Sequence, residues 1–287
     1  MGSFRKLAVV IFFIKQSKLY GKYEISDNCN YLYYKENKKN YKIERGVILK
    51  FDIFSIQGNM AGFYENEVEC PICKNKYKVT KVLSRRTVVK SRDSDFCPHY
   101  KGKNPIFYSV NVCPHCGYAA FDSDNNEITI EEINLFELKM KGKWKYQELN
   151  SEKKIDEAIK VYKLLLLTYK MIDKKESDIA KVCLRLAWLY RYKNDKENEM
   201  KFLENMVKNN EMAFTKEDLT VNLKNELEIM FVTAETQRKL GNYKDAIKWF
   251  MKVNTHEEIN KYRVIKLRNK EQWSLAIEEY RSGVKCE

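Results

Sequence analysis

The amino-acid sequence predicts an α+β fold, in which a small antiparallel β domain precedes an α-helical array. Two observations lead to this prediction. Around and between two CPxC motifs, residues 76–83 and parts of residues 86–90 and 107–112 alternate polar and apolar side chains, as short strands do. From Ile130 onward, apolar residues recur instead with the spacing of amphipathic helices. With 287 residues and 44% hydrophobic side chains, the chain can fill two domains of ordinary size.

The two CPxC motifs predict a metal site. They read CPIC at residues 70–73 and CPHCG at residues 113–117. Because each CxxC turn directs two thiolates at one ion, two such turns complete a tetrahedral sulfur site. The predicted cofactor is Zn²⁺ in a zinc ribbon, with four cysteine ligands: Cys70, Cys73, Cys113 and Cys116. A rubredoxin-like iron centre uses the same motifs, but iron is less favoured because no glycine follows the first motif.

Residues next to the two motifs predict the local backbone. Gly117 stands where the chain must turn with a positive φ so that its amide can approach a sulfur. Lys74 and Asn75 follow the first motif instead, so that turn must be less regular or be supported by Asn75. Residues 74–112 separate the motifs by about twice the usual spacing of such sites. This length predicts an insert that leaves the hairpin and returns to it.

The insert contains a cysteine and a histidine two positions apart, Cys97 and His99. They could form part of a second metal site, or a reactive thiol beside a base. The favoured interpretation is an ordinary turn with a partly buried cysteine and a surface histidine. The same segment supplies charged and aromatic residues that we expect to contact a partner: Arg92, Asp93, Asp95 and Tyr108.

The chain is strongly basic, with a formal net charge of +13. Basic and aromatic residues are interleaved between the CPxC motifs, which suits phosphate contacts and base stacking, so nucleic acid is a candidate partner. A solvated strand face is favoured, because lysines are spread along the whole chain. Paired CxxC motifs are typical of reduced compartments and predict a cytoplasmic protein. No stretch approaches the roughly 20 apolar residues that span a bilayer.

The second half of the chain is predicted to be helical, beginning at a capping box formed by Thr129 and Glu132. The predicted helices span approximately residues 130–141, 152–172, 178–192, 196–213, 219–240, 243–253 and 257–282. A partial repeat aligns residues 187–203 with residues 234–250, and residues 240–250 look like part of a tetratricopeptide repeat. Such arrays bind a protein or peptide along a concave face. The aromatic candidates for that contact are Trp188, Tyr192 and Trp249.

These patterns predict three segments. Residues 1–59 are interpreted as a mis-assigned translation start, with the natural start at Met60, or as a poorly structured or short β extension. Residues 60–127 form the zinc-ribbon domain with its insert. Residues 128–287 form an α-helical, tetratricopeptide-like array of hairpins.

Four segments carry a family resemblance: residues 70–73, residues 90–97 (KSRDSDFC), residues 104–108 (NPIFY), and residues 113–120 followed by helices. Together they resemble a bacterial family found in Firmicutes such as clostridia, the domain-of-unknown-function family 2225. The resemblance extends from near Met60 to the C-terminus, and it supports a start there. It implies a cytosolic zinc ribbon joined to tetratricopeptide-like helices, with the segment around Cys97 recurring beside the CPxC motifs. The family has no established activity.

The sequence lacks the common enzyme motifs GxxxxGK, GxGxxG, HExxH and GxSxG, although an unfamiliar active site stays open. We therefore expect a non-enzymatic, zinc-stabilised adaptor or scaffold that binds another protein through its helical array. Two other functions are alternatives. The first is a nucleic-acid-binding zinc ribbon, and the second is an enzyme or redox sensor centred on Cys97 and His99.

Overall fold

The structure is a computed structural model that describes residues 22–24, 31–36, 39–44, 62–124 and 128–283. The chain divides into two units, Met1–Ala61 and Gly62–Glu287. The described part of the first unit is an antiparallel sheet of three strands: β1 (Lys22–Glu24), β2 (Tyr31–Glu36) and β3 (Lys39–Glu44). The predicted start at Met60 lies outside the described residues, and the division near residue 127 stays a prediction.

Six strands in residues 62–124 pair as three antiparallel hairpins. The strands are β4 (Phe63–Glu69), β5 (Lys76–Val82), β6 (Val88–Arg92), β7 (Pro98–Lys101), β8 (Val110–Val112) and β9 (Ala119–Phe121). Strand β4 pairs with β5 across the CPIC motif, and β8 pairs with β9 across the CPHCG motif. Strands β6 and β7 form the insert. Each CPxC motif is therefore the turn of its own hairpin.

Two segments of the insert differ from the sequence prediction. Pro98–Lys101 is a strand where the sequence predicts an ordinary turn, because it pairs with β6. Pro105–Tyr108 is a short 3₁₀ helix that overlaps the start of the strand predicted in parts of residues 107–112, of which residues 110–112 are a strand. Its first residue is a proline, which cannot donate a strand hydrogen bond, and the side chain of Asn104 accepts a hydrogen bond from the amide of Ile106 at 3.0 Å. The local side-chain cap therefore overrides the alternating pattern.

Seven α-helices lie in the described part of the chain after residue 127. They are α1 (Ile130–Met140), α2 (Ile155–Met171), α3 (Glu176–Tyr192), α4 (Lys196–Lys216), α5 (Leu223–Lys239), α6 (Tyr243–Thr255) and α7 (Arg263–Ser282). The predicted capping box is confirmed, because Thr129 and Glu132 each accept a hydrogen bond from the other's backbone amide. The α+β class is confirmed as well, since small antiparallel strand pairs precede these helices.

The four helices α3 to α6 form two hairpins with the same turn geometry. Asn194 and Gly241, which the sequence repeat aligns, both adopt left-handed φ values, of 60° and 80°. After each of them, an amide donates to a carbonyl five residues earlier: Asp195 to Tyr190 at 3.0 Å, and Asn242 to Gln237 at 2.9 Å. These are Schellman-type helix ends, which glycine and asparagine favour because they tolerate a positive φ.

The strands and the helices of the second unit share their hydrophobic core. Val110, Val112 and Phe121 of the strands pack in one cluster with buried residues of α2 and α3, such as Tyr162 and Leu186. A second cluster joins residues of both CPxC hairpins to α1 and to the end of α2: Cys70, Tyr77, Cys113, Tyr118, Phe136, Met140 and Ile172. Among the helices that the structure describes, none has both the length and the hydropathy needed to cross a bilayer.

Candidate metal centre and acidic turn

The four cysteines of the CPxC motifs converge at one point between the two hairpin turns. Their sulfur atoms all lie within 4.8 Å of one another, and Sγ of Cys70 is 3.6 Å from Sγ of Cys116. The same distance separates Sγ of Cys73 from Sγ of Cys113. A tetrahedral ion with metal–sulfur distances of about 2.3 Å requires sulfur separations of about 3.8 Å. The cluster therefore has the size and the ligand set to hold a metal ion.

The two turns that present these sulfurs have matching backbone geometry. The amide of Lys74 donates to the carbonyl of Cys70 at 3.0 Å, and the amide of Gly117 donates to that of Cys113 at 2.9 Å. Lys74 and Gly117 both have positive φ, at 58° and 80°. The positive φ predicted for Gly117 is confirmed. In the first turn, the side-chain amide of Asn75 donates to the carbonyl of Cys73 at 3.3 Å, as the predicted support requires.

The indole of Trp144 packs against the second turn. Its Nε1 donates to the carbonyl of Pro114 at 2.8 Å, and a Cβ added to Gly117 would lie 2.4 Å from its ring. Gly117 is therefore required for two reasons, its backbone conformation and the contact with this ring. The sequence did not predict the contact of Trp144 with this turn, because Trp144 lies in an irregular segment after α1 with no periodic pattern around it.

Gly117→Ala is expected to destabilise the protein more than Gly102→Ala. Both glycines have positive φ, at 80° and 92°, so both substitutions introduce similar backbone strain. Only Gly117 faces a ring, since nothing lies within 4 Å of a Cβ added to Gly102. Overpacking of this kind costs about 1 to 3 kcal/mol. Urea unfolding of both variants measures the difference, and equal midpoints would contradict the role assigned to Trp144.

Three thiols of the cluster, those of Cys70, Cys113 and Cys116, shift one another's pKa. Hydrogen bonding with Cys113 raises the pKa of Cys70 to about 12 and also raises the pKa of Cys116. Hydrogen bonds from these neighbours lower the pKa of Cys113. Because several thiolates at this distance repel one another, they can all be charged together only with a cation between them.

Residues 93–97 connect β6 to β7 at the tip of the insert hairpin, and they are called the acidic turn below. Asp95 in this turn is completely buried. The guanidinium of Arg191 binds both of its carboxylate oxygens, at 3.0 and 2.7 Å, and Nζ of Lys239 lies 3.1 Å from one of them. Burial alone would raise the pKa of Asp95, but the hydrogen bonds and charges of these two cations outweigh it and hold the pKa well below its ordinary value.

Three different helices hold this acidic turn. Arg191 comes from α3, Lys239 from α5 and Arg268 from α7. Arg268 donates to the backbone carbonyl of Asp93 at 2.8 Å, and its guanidinium lies 4.9 Å from the ring centroid of Phe96. The sequence reading missed these three cations, although the 47-residue repeat that relates α3 to α5 also relates Arg191 to Arg238, the neighbour of Lys239.

Cys97 and His99 differ from the ordinary turn that the sequence favours. Cys97 is fully buried, its Sγ lies 3.4 Å from the hydroxyl of Tyr192, and burial raises its pKa to about 12. The side chain of His99 is 39% exposed, and its Nε2 is 2.7 Å from Oδ1 of Asp93. The ligand atoms of Asp93, Cys97 and His99 lie within 4.8 Å of one another. The two residues therefore belong to a three-residue cluster that includes an aspartate.

Most of the predicted partner-binding residues make contacts within the chain. Four of them are buried: Asp95, Tyr108, Trp188 and Trp249. The hydroxyl of Tyr192 donates to the carbonyl of Pro98 at 2.6 Å, and Asp93 binds Arg191 at 2.7 Å. Arg92 is exposed, with one long contact of 3.5 Å to the carbonyl of Phe96. Asp93, Asp95 and Tyr192 therefore connect the insert to the helices.

Comparison with known proteins gives one family. The family model described as "Uncharacterized protein conserved in bacteria (DUF2225)" matches residues 63–276. A protein of Borreliella burgdorferi strain B31, described only as an uncharacterized protein, is 26% identical over 149 residues, which cover 45% of this chain. The match spans 52% of that relative, about half its length. No solved structure matches the chain significantly.

Proposed function

Since the chain belongs to a family of uncharacterized proteins conserved in bacteria (DUF2225), we propose that it is a non-enzymatic, zinc-stabilised adaptor. In this proposal, residues 60–127 are a zinc ribbon with an insert, and residues 128–287 are a tetratricopeptide-like array that binds a partner protein in the cytoplasm. Four cysteine ligands support a structural role for the metal, because a closed tetrahedral site leaves no position for a substrate. Zinc is proposed over iron.

A groove beside α2 and the end of α3 is the observation that carries the partner-binding proposal. Its volume is about 490 Å³. Apolar side chains line it, including Leu164 and Leu167, and Leu167 is 45% exposed. Lys160, Lys163 and Lys193 also line the groove; Lys193 is paired at 2.7 Å with the one carboxylate in the lining, Asp156, so the lining keeps a net positive charge. An apolar groove with lysines fits the apolar face of an acidic amphipathic helix, which is a common mode of peptide recognition.

The acidic turn is the reason for proposing this groove, and not the cations of α3, α5 and α7, as the partner surface. The cations of α3, α5 and α7 that a concave face would offer to an acidic peptide already bind residues 93–97. A partner at that place would have to displace the buried carboxylate of Asp95. The groove beside α2 needs no such displacement, because no residue of the acidic turn lines it.

The basic ribbon is less well suited to nucleic acid than its composition indicates. On β5, Lys76 lies 3.6 Å from Glu67, and Lys78 lies 3.4 Å from Glu65, both glutamates being on β4. The side chain of Lys81 points inward and is only 8% exposed. Carboxylates beside the exposed lysines oppose phosphate binding, since affinity for phosphates depends on the net positive charge of the surface. We therefore propose a protein partner.

Leu167→Glu is expected to prevent partner capture in a pull-down from the native host, while Leu138→Glu leaves it intact. Leu138 is 76% exposed on α1, outside the groove, and is the matched control. A carboxylate in the groove removes an apolar contact and repels an acidic partner, so we expect recovery to fall at least about tenfold. The pull-down is repeated after nuclease treatment. Loss of the captured protein with nuclease, or equal capture by both variants, would contradict the adaptor proposal.

A further inference from the structure

The cluster of Asp93, Cys97 and His99 has the donor set of a metal site. It offers one carboxylate oxygen, one sulfur and one imidazole nitrogen, all within 4.8 Å of one another. Cys97 directly precedes β7 and His99 lies in it, so the two side chains, two positions apart, point to the same side. A mixed set of sulfur, nitrogen and oxygen donors suits Zn²⁺, whereas Mg²⁺ and Ca²⁺ prefer oxygen ligands alone.

Neighbouring groups hold these three ligands in position. The second carboxylate oxygen of Asp93 accepts a hydrogen bond from Arg191 at 2.7 Å, so the oxygen that contacts His99 is the one that would bind an ion. The backbone amide of Asp93 donates to the carbonyl of Cys97 at 2.9 Å and closes the acidic turn. Tyr192 contacts the sulfur of Cys97 at 3.4 Å. Such outer contacts orient metal ligands and increase affinity.

We propose that Asp93, Cys97 and His99 form a second metal site, which binds Zn²⁺ through three protein ligands. Binding releases the thiol proton of Cys97 to solvent. Nε2 of His99 gives up the proton that it shares with Asp93, the ring keeping its proton on Nδ1, and two metal bonds replace the hydrogen bond between His99 and Asp93. The side chains of His99 and Asp93 are 39% and 30% exposed, so the ion enters from the solvent side. Three protein ligands leave a fourth position for water or an external donor, which the four-cysteine cluster does not.

The site also connects metal binding to the helical array. Its aspartate binds Arg191 of α3, and its cysteine contacts Tyr192 of the same helix. Arg191 in turn binds Asp95 and Glu199 at 2.7 Å each. A bound ion would therefore fix the acidic turn against α3. This inference does not depend on the groove proposed for a partner, which α2 and the end of α3 line with other residues.

Zinc content per chain tests the site. Protein purified with Zn²⁺ and freed of loosely bound metal by gel filtration is expected to contain two zinc ions per chain, and His99→Ala is expected to contain one. Cys183→Ala, which removes a buried thiol on α3, is the matched control and keeps both ions. Asp93→Asn, which retains the shape of the side chain, is expected to lose the second ion as well, and circular dichroism checks that each variant is folded.

Cobalt spectra provide a second readout on the folded wild-type protein. Subtracting the spectrum of Co²⁺-loaded His99→Ala from that of the Co²⁺-loaded wild type is expected to leave the thiolate-to-cobalt band of the second site. With one sulfur ligand, this band is weaker than that of the four-cysteine site. The four-cysteine site supplies the stronger band in both proteins. A wild-type content of one zinc ion per chain that is unchanged in folded His99→Ala would overturn the proposal. So would a second ion that persists in folded His99→Ala and Asp93→Asn.

Discussion

The double substitution Cys113→Ser and Cys116→Ser is expected to abolish metal binding at the four-cysteine cluster and to unfold the hairpins around it. Structural zinc sites contribute about 10 to 16 kcal/mol of apparent binding free energy, which is comparable to the whole stability of an ordinary domain. The second hydrophobic cluster contains Cys70 and Cys113 together with Phe136 of α1 and Ile172 after α2. Unfolding is therefore expected to extend to the packing of α1.

Thermal unfolding followed by circular dichroism, together with zinc analysis and the visible spectrum, tests this expectation. The wild-type protein is expected to be colourless and zinc-loaded, whereas a rubredoxin-like iron centre would be coloured. Cys183→Ala is the control, because Cys183 is also buried but lies on α3, in the hydrophobic cluster that does not contain the CPxC cysteines. A double variant that keeps the wild-type metal content and unfolding temperature would contradict a structural role for the cluster. An iron-loaded, coloured wild type would contradict the choice of zinc.

Asp95→Asn is expected to destabilise the protein by about 3 to 5 kcal/mol, because it breaks a buried ion pair by removing the fully buried carboxylate that Arg191 and Lys239 share. Asp95 is completely buried and binds Arg191 through both oxygens, with Lys239 as a second cation. The control is Glu67→Gln, which removes a pair with Lys76 whose side chains are more than half exposed. Exposed pairs contribute less than about 1 kcal/mol. Chemical denaturation at pH 7 measures both losses.

The pH dependence of the free energy of unfolding, measured for wild type and for Asp95→Asn, provides an independent check. Because the folded pKa of Asp95 is depressed, its contribution is fully present above the unfolded pKa of about 3.9 and is lost as the pH falls toward the folded pKa. The stability difference between wild type and Asp95→Asn is therefore expected to be constant from neutral pH down to about pH 5 and to shrink below about pH 4. A difference that stays constant through this acidic range would contradict the ionised, paired state of Asp95.

The acidic turn changes the expected role of the insert. The sequence predicts that Arg92, Asp93, Asp95 and Tyr108 of the insert contact a partner. In the structure, most residues of 92–108 connect the strands to the helices. The turn resembles an acidic peptide bound by the cations of α3, α5 and α7. The ring centroid of Phe96 in this turn lies 5.1 Å from that of Phe231 on α5. The turn is held within the same chain, which lowers the entropy cost of binding compared with a separate partner.

Local features of this protein follow from the sequence alone. The two CPxC turns, the positive φ of Gly117, the capping box at Thr129 and the left-handed turns at Asn194 and Gly241 all depend on residues close together in the chain. Helical periodicity located the seven helices of the described region within a few residues at most ends, because each amphipathic face repeats every 3.6 residues. The proximity of the four sulfurs follows from two such local turns at the ends of neighbouring hairpins.

The tertiary structure alone decided which distant residues meet. Strand β4 has four acidic or amide residues in seven positions and no clear alternation, and it is a strand because β5 pairs with it. Asp95 and Arg191 are 96 residues apart, and Trp144 lies 27 residues beyond Gly117. The sequence does not show whether a charged or aromatic side chain faces solvent or lies buried against a partner within the protein. Only the packing of the helices against the insert determines that Asp95 is buried, because that contact has no periodic pattern along the chain.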